Sequence, residues 1–257
     1  MLTNENYFSP ENQLRYMGSS QFKAFQKCEA AALAELKGEF QREQTTALLV
    51  GSYVDAYFEG TIDQFRALHP EIFKRDGNLK SDYIQAEEII NRVTRDDLFM
   101  RYMSGDSQVI MTGTIAEVPF KVKIDSLHPD KIVDLKCMKD FGRVWSDRQC
   151  QKLPFAEAWG YDIQGAIYQE IVRQNTGKQL PFYLAAVTKQ KVPRIGIFSI
   201  SQQQLDFQLQ EIEEAAPKYQ RIKLGQLQPE RCNQLDCDYC AATAVLTAPI
   251  DYQEIDL

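Results

Sequence analysis

Apolar and polar residues alternate with a period of two along 121–136. Val122, Ile124 and Ser126 interleave with Lys121, Lys123 and Asp125, and Ile132-Val133-Asp134-Leu135-Lys136 resumes the pattern. His128-Pro129-Asp130 between them has turn chemistry. The pattern predicts antiparallel strands over 109–136, with Asp134 and Lys136 on one face of theirs. A hairpin here brings Asp125 beside Asp134.

The period lengthens on either side. Phe22, Phe25, Cys28 and Ala32 recur at helical spacing within 21–40, with Ser19 or Ser20 as the N-cap. Residues 45–58 predict a second helix with Leu48, Leu49, Val54 and Phe58 on its apolar side; Gly51 inside it implies close approach of another backbone. Helices are also expected over 82–101, 158–174 and 202–224, and strands over 181–200. Residues 1–17 read as a loosely held lead-in, 60–81 as irregular, and 140–157 as a long polar and aromatic connection. This order predicts one α/β (α+β) domain over 1–257: a helical N-terminal part (18–100), a core built on a mixed central sheet flanked by helices (105–225), and a cysteine-containing tail (226–257).

Length and composition fit an ordinary globular domain: 257 residues, 44% hydrophobic and 25% charged. No stretch is apolar enough to span a membrane, and the first residues lack a basic segment followed by an apolar run, so a cytoplasmic protein is expected. The net charge of −7 does not favour a nucleic-acid partner, although a local basic groove can coexist with an acidic remainder.

The hairpin carries the chemistry. Two carboxylates and a lysine hold a hard divalent cation, Mg²⁺ or Mn²⁺, beside a proton-handling amine, as phosphodiester hydrolysis requires. On an exposed edge strand the same Asp-x-Lys pattern is a solvated ion pair. Ile132, Val133 and Leu135 argue instead for a strand buried on at least one face, where an unpaired carboxylate is expensive. Gln164 and Tyr168 stand four apart, on one helix face.

Three features then follow in order: Gly51-Ser52-Tyr53-Val54-Asp55 on a helix, Asp125 with Asp134-Leu135-Lys136 on a hairpin, and Gln164-Gly165-Ala166-Ile167-Tyr168 on the next helix. The ordered set resembles the PD-(D/E)xK nuclease superfamily, within it the RecB-like and RecE-like exonucleases, over residues 19–240. The resemblance implies a restriction-endonuclease-like fold and roles for individual residues. Asp125 and Asp134 are the acidic metal ligands, and Lys136 orients or deprotonates the attacking water. Gln164 and Tyr168 position DNA and the active site. Asp55 occupies a place where the family usually has histidine; an aspartate suits Mg²⁺ or Mn²⁺ at least as well. Glu59, one turn on, is a weaker candidate. A cation beside Lys136 makes the amine lose its proton more readily. The implied activity is a Mg²⁺- or Mn²⁺-dependent DNA exonuclease of a phage-type recombination or repair module, with a single-strand annealing partner and a homo-oligomer as expectations. The rivals are an endonuclease, a CRISPR- or repair-processing nuclease, and an inactive DNA-binding domain.

Of six cysteines, Cys232, Cys237 and Cys240 crowd into nine residues. With Cys28 they match the order of cysteines in RecB-like nucleases whose [4Fe–4S] cluster clips the termini together, though the gaps differ. Spacing alone leaves open a cluster, a structural Zn²⁺, or buried thiols without metal. Arg143, Trp145, Arg148 and Lys152 in the long connection, and Lys189, Lys191 and Arg194 further on, are candidates to line a DNA groove.

Overall fold

In the computed structural model the described residues are 2–146, 149–232, 234, 237–245 and 248–249. Helices α1 (Pro10–Arg15), α2 (Ser19–Lys27), α3 (Glu29–Leu36), α4 (Thr46–Phe58), α5 (Ile62–Leu68), α6 (Ser81–Thr94) and α7 (Asp97–Tyr102) precede the sheet. Strands β1 (Asp106–Ile115), β2 (Val118–Leu127) and β3 (Ile132–Met138) follow. A small hairpin of β4 (Val144–Ser146) and β5 (Gln151–Leu153) comes next, then α8 (Phe155–Ala158) and α9 (Tyr161–Thr176). Strands β6 (Phe182–Thr188) and β7 (Ile195–Ser199), α10 (Gln202–Lys223) and α11 (Asp238–Ala242) complete the order. The main sheet runs β1-β2-β3-β6-β7, antiparallel except for the parallel β3–β6 pair, which α9 connects. This is the expected mixed sheet flanked by helices.

The alternation of β3 divides its side chains between two cores. Ile132 and Met138 join Phe22 and Phe25 of α2, Ile167 and Ile171 of α9, and Ile212 of α10. Val133 and Leu135 join Val54 of α4, Ile89 of α6 and Phe99 of α7. Asp134 and Lys136 therefore face the α9 side. Gly165 lets α9 lie close: a Cβ there would meet Phe182 at 2.7 Å and Leu205 at 2.9 Å.

Several elements depart from the sequence pattern for identifiable reasons. The expected helix over 21–40 breaks at Cys28, which is extended (φ −158°, ψ 111°), and Gly18 rather than a serine occupies its N-cap. Residues 60–81 contain α5 and a 3₁₀ turn, Pro70–Ile72, and the 82–101 helix is two, joined where Asp96 caps α7 by accepting from Phe99 N at 3.0 Å. Over Gly51 the nearest group is the Lys189 amine, 3.7 Å from an added Cβ, and not a backbone.

The lead-in is tied down. Met17 is fully buried and pairs with the edge of β2 away from β1, donating to Pro119 O (2.8 Å) and accepting from Lys121 N (3.0 Å). Lys223, near the end of α10, donates to Tyr16 O (2.9 Å) and Gln21 Oε1 (2.6 Å). Burial, helped by the like charge of Lys121, lowers its amine to about 7. An unfolded lysine titrates near ~10.4, so between the two values the unfolded chain holds a proton that the native one lacks, and stability rises with pH through this window. Wild type therefore gains melting temperature over Lys223→Met between about pH 7 and about pH 9; a pH-independent difference would mean that the native amine is charged.

Candidate active site

The ladder between β2 and β3 holds two pairs, Leu127–Ile132 and Ser126–Val133. Beyond them the strands part, and Asp125 and Asp134 are the next residues into the fork. Asp125 Oδ2 takes the Leu135 N–H at 2.9 Å, replacing the missing ladder partner. Asp134 is 2% exposed. Its Oδ1 accepts from Gln164 Nε2 of α9 at 2.7 Å, and its Oδ2 pairs with the Lys136 amine. Tyr168, one turn beyond Gln164, donates to Lys123 O of β2 at 2.9 Å, so it braces the strand that carries Asp125. Asp55, on α4, keeps an exposed surface, and its carboxyl lies within the field of Asp134 and Lys136.

The carboxylates outnumber their cation. Burial, then the charge of Asp134, pushes the Asp125 carboxyl well above its ordinary range. Asp55 is pushed up to about 7, by the surrounding protein first and by Asp134 and Glu59 next, with Lys136 opposing. Burial alone would lower the Lys136 amine, but Asp134 and Asp125 outweigh it and raise it. The carboxylates therefore hold Lys136 as an ammonium, opposite to the effect expected of a neighbouring cation.

Two residues join this set without having been visible in the pattern. Gln108, opposite Asp125 in the β1–β2 register, has a left-handed backbone (φ 56°) and donates from Nε2 to Asp125 Oδ1 at 3.3 Å. Its Oε1 is buried without a hydrogen-bond partner among the described residues. Lys23 of α2 lies 5.6 Å from the Tyr161 ring centroid, and Lys136 5.1 Å from the same ring. Burial and then repulsion by Lys136 lower the Lys23 amine to about 8. A positive φ at Gly160 makes room for it: a Cβ there would meet Lys23 Cδ at 2.7 Å.

An oxygen-only donor set with excess negative charge fits a hard divalent cation such as Mg²⁺ or Mn²⁺. Asp125 and Asp134, with Asp55 as a third carboxyl in their field, are the residues that could hold it. Glu59 pairs with Lys123 at 3.7 Å and still acts on Asp55.

The remaining candidates come from other elements, and of them Lys189 acts on Asp55. Trp145 and Lys152 face each other across the β4–β5 pair. The exposed guanidinium of Arg143 donates from Nε and Nη2 to Lys152 O at 3.2 and 2.8 Å and braces the hairpin, which leaves its other N–H groups uncommitted by these bonds. Arg148 lies outside the described residues. Lys189 bonds the Ala47 carbonyl of α4. The four tail-associated cysteines do converge, with Sγ atoms all within 4.8 Å of one another.

Comparison with known proteins bears on the family and the fold. Residues 18–243 match the model of a family described as a PDDEXK-like domain of unknown function. The chain belongs to this family. The PDDEXK-like assignment confirms the resemblance carried by the three short motifs, and it supports a nuclease. The fold matches the crystal structure of a "putative exonuclease" from Eubacterium rectale with a TM-score of 0.91 and 47% identity, covering 98% of this chain and 96% of that one. No curated protein matches the chain. Among the described residues no helix is long and apolar enough to cross a membrane.

Proposed function

We propose that this PDDEXK-like chain is a metal-dependent deoxyribonuclease that degrades DNA from its ends. The observation that carries the reading is the β2–β3 fork, where Asp55, Asp125 and Asp134 surround one lysine. Similarity to a protein described as an exonuclease supports the mode of attack. The resemblance of the motifs to RecE-like enzymes supports a role in recombination or repair, with a single-strand annealing protein as partner and a homo-oligomer as the working form.

A divalent cation held by Asp125 and Asp134 would supply positive charge to the scissile phosphate and make water a better nucleophile. The residues supply the geometry. Leu135 N–H and Gln108 hold Asp125 by one oxygen each, and Gln164 fixes the outer oxygen of Asp134, so both ligands are aimed before substrate arrives. Lys136 stands beside Asp134, where its ammonium meets the attacking water and the charge that develops on the phosphate.

A cleft of about 440 Å³ is lined by Lys23 and Lys27 of α2, Ser146 of β4, Glu157 of α8, and Trp159 and Gly160 before α9. Trp159 is 52% exposed. A basic wall beside an exposed indole suits one strand, with a base on the ring and its phosphate at Lys23. Trp159 and Trp145 are the two tryptophans of the chain. In a Trp145→Phe background, oligothymidylate with Ca²⁺ is expected to quench Trp159 fluorescence, and Lys23→Gln to weaken binding about tenfold. Tight binding by anisotropy with unchanged fluorescence would place the strand elsewhere.

The decisive assay sets end-labelled linear duplex beside a covalently closed circle, with Mg²⁺, Mn²⁺ or EDTA. Metal-dependent loss of the linear DNA alone, absent in Asp134→Ala, is the expected result. Cleavage of the circle would make the protein an endonuclease, and binding without cleavage a DNA-binding domain.

A further inference from the structure

The four cysteines are gathered by separate devices. Cys28 sits at the extended break between α2 and α3, where backbone groups of Ala31 and Cys232 hydrogen-bond its sulfur. The tail docks beside it. Ala30 N donates to Glu230 O at 3.0 Å, Glu230 N donates to Glu29 Oε2 at 2.9 Å, and Lys218 bridges the two glutamates at 2.7 and 3.3 Å. Arg231 Nη2 donates to Cys240 O at 2.8 Å. Cys28, Cys237 and Cys240 are buried and Cys232 half-buried, in a small apolar cluster of their own with Ala30 and Ala31.

The sulfur separations suit one small ion or directly hydrogen-bonded thiols and leave no room for a larger cluster. Cys28 Sγ lies 3.7 Å from Cys240 Sγ, Cys232 Sγ lies 3.8 Å from it, and all four fall within 4.8 Å of one another. Thiolates at about 2.3 Å around one tetrahedral ion stand about 3.8 Å apart. In a [4Fe–4S] cubane each thiolate binds a different iron at a different corner, so four irons and four sulfides must fit between the cysteines and hold them further apart. The spacing is also far beyond an S–S bond of about 2.0 Å.

We infer that Cys28, Cys232, Cys237 and Cys240 bind a single tetrahedral Zn²⁺ that clasps the α2–α3 break to the C-terminal tail. The four thiolates close the coordination sphere, so the ion is structural. The backbone donors at Cys28 offset negative charge on its sulfur. The ion is distinct from the one proposed at the carboxylates, in ligand chemistry and in place.

The test is metal content of the full-length chain, produced with both iron and zinc supplied and purified anaerobically without chelator. The expected result is one zinc per chain, little iron and no visible cluster absorption. Zinc should fall in Cys28→Ser and in Cys240→Ser and persist in Asp134→Ala. Cobalt exchanged into wild type should give a tetrahedral visible spectrum with a thiolate charge-transfer band, which is lost in Cys240→Ser. Should that variant fail to fold, the cobalt spectrum of wild type still decides. Four irons per chain with cluster absorption would overturn the inference in favour of a cubane. No metal at purification and no cobalt spectrum would overturn it in favour of a bare thiol core. Either failure leaves the nuclease reading untouched, since that reading rests on carboxylates and on cleavage.

Discussion

Replacing Lys136 by alanine should lower DNA cleavage about a thousand-fold while leaving divalent-metal binding in place, as expected for loss of one group that stabilises developing charge. Asp134 is nearly inaccessible, and its Oδ2 pairs with Lys136. Removing the amine leaves a buried carboxylate without its cation, so the variant should also lose thermal stability in EDTA. Added Mn²⁺ should restore more stability to Lys136→Ala than it adds to wild type, because the ion takes over the charge that the lysine balanced. This pairing separates catalysis from folding: the variant regains stability with metal but not cleavage. Substantial cleavage by a metal-loaded Lys136→Ala would remove Lys136 from the chemistry. Lys136→Arg should keep the stability and still cut slowly, since a planar guanidinium cannot occupy the position of a compact ammonium.

The hairpin was legible because its two constraints are local. Period-two alternation sets the face of Asp134 and Lys136, and the turn at His128-Pro129-Asp130 sets which residues meet across the strands. The crossover helix was legible for the same reason: Gln164 and Tyr168 recur at helical spacing, and Asp134 meets the first of them. What was not legible depends on partners distant in sequence. The fork opens beside the stretch of β2 whose free edge is taken by Met17, a residue that reads as part of a loose lead-in. Gln108 owes its contact with Asp125 to a left-handed backbone that no turn residue announces. Lys23 reaches the site because α2 packs on α9 and Gly160 leaves space for its stem. A glycine directly after an exposed tryptophan and before a helix was the one local sign of that approach. The break at Cys28 was hidden because Glu29–Leu36 is itself a good helix former; docking of the tail against Glu29 and Ala30 accompanies the turn in the chain.

Arg143 has a role that the pattern does not announce: its guanidinium also ties the small hairpin together through the Lys152 carbonyl. The hairpin still presents Trp145, 56% exposed, opposite Lys152.

Asp55 offers the sharpest test of which metal the fork is built for. By the resemblance to the nuclease superfamily it stands where histidine is usual, and on the proposed reading it adds a third hard carboxylate to Asp125 and Asp134. Asp55→Ala should reduce cleavage with either ion by about a hundred-fold, the scale on which the loss of a charge-stabilising group reduces rate. Asp55→His should divide the metals. Imidazole is a poorer ligand than carboxylate for Mg²⁺, which prefers oxygen, and a tolerable one for Mn²⁺. The ratio of Mn²⁺- to Mg²⁺-supported rates should therefore rise at least about tenfold in Asp55→His relative to wild type. Titrating each ion into the three proteins while following initial rates on labelled duplex measures that ratio, and calorimetry of Mn²⁺ binding without DNA shows whether it arises from affinity. An unchanged ratio together with unimpaired Asp55→Ala would mean that the ion is held by Asp125 and Asp134 without α4. In that case the raised Asp55 carboxyl is a neighbour of the site and not one of its ligands, and the histidine of relatives would have no counterpart in this chain.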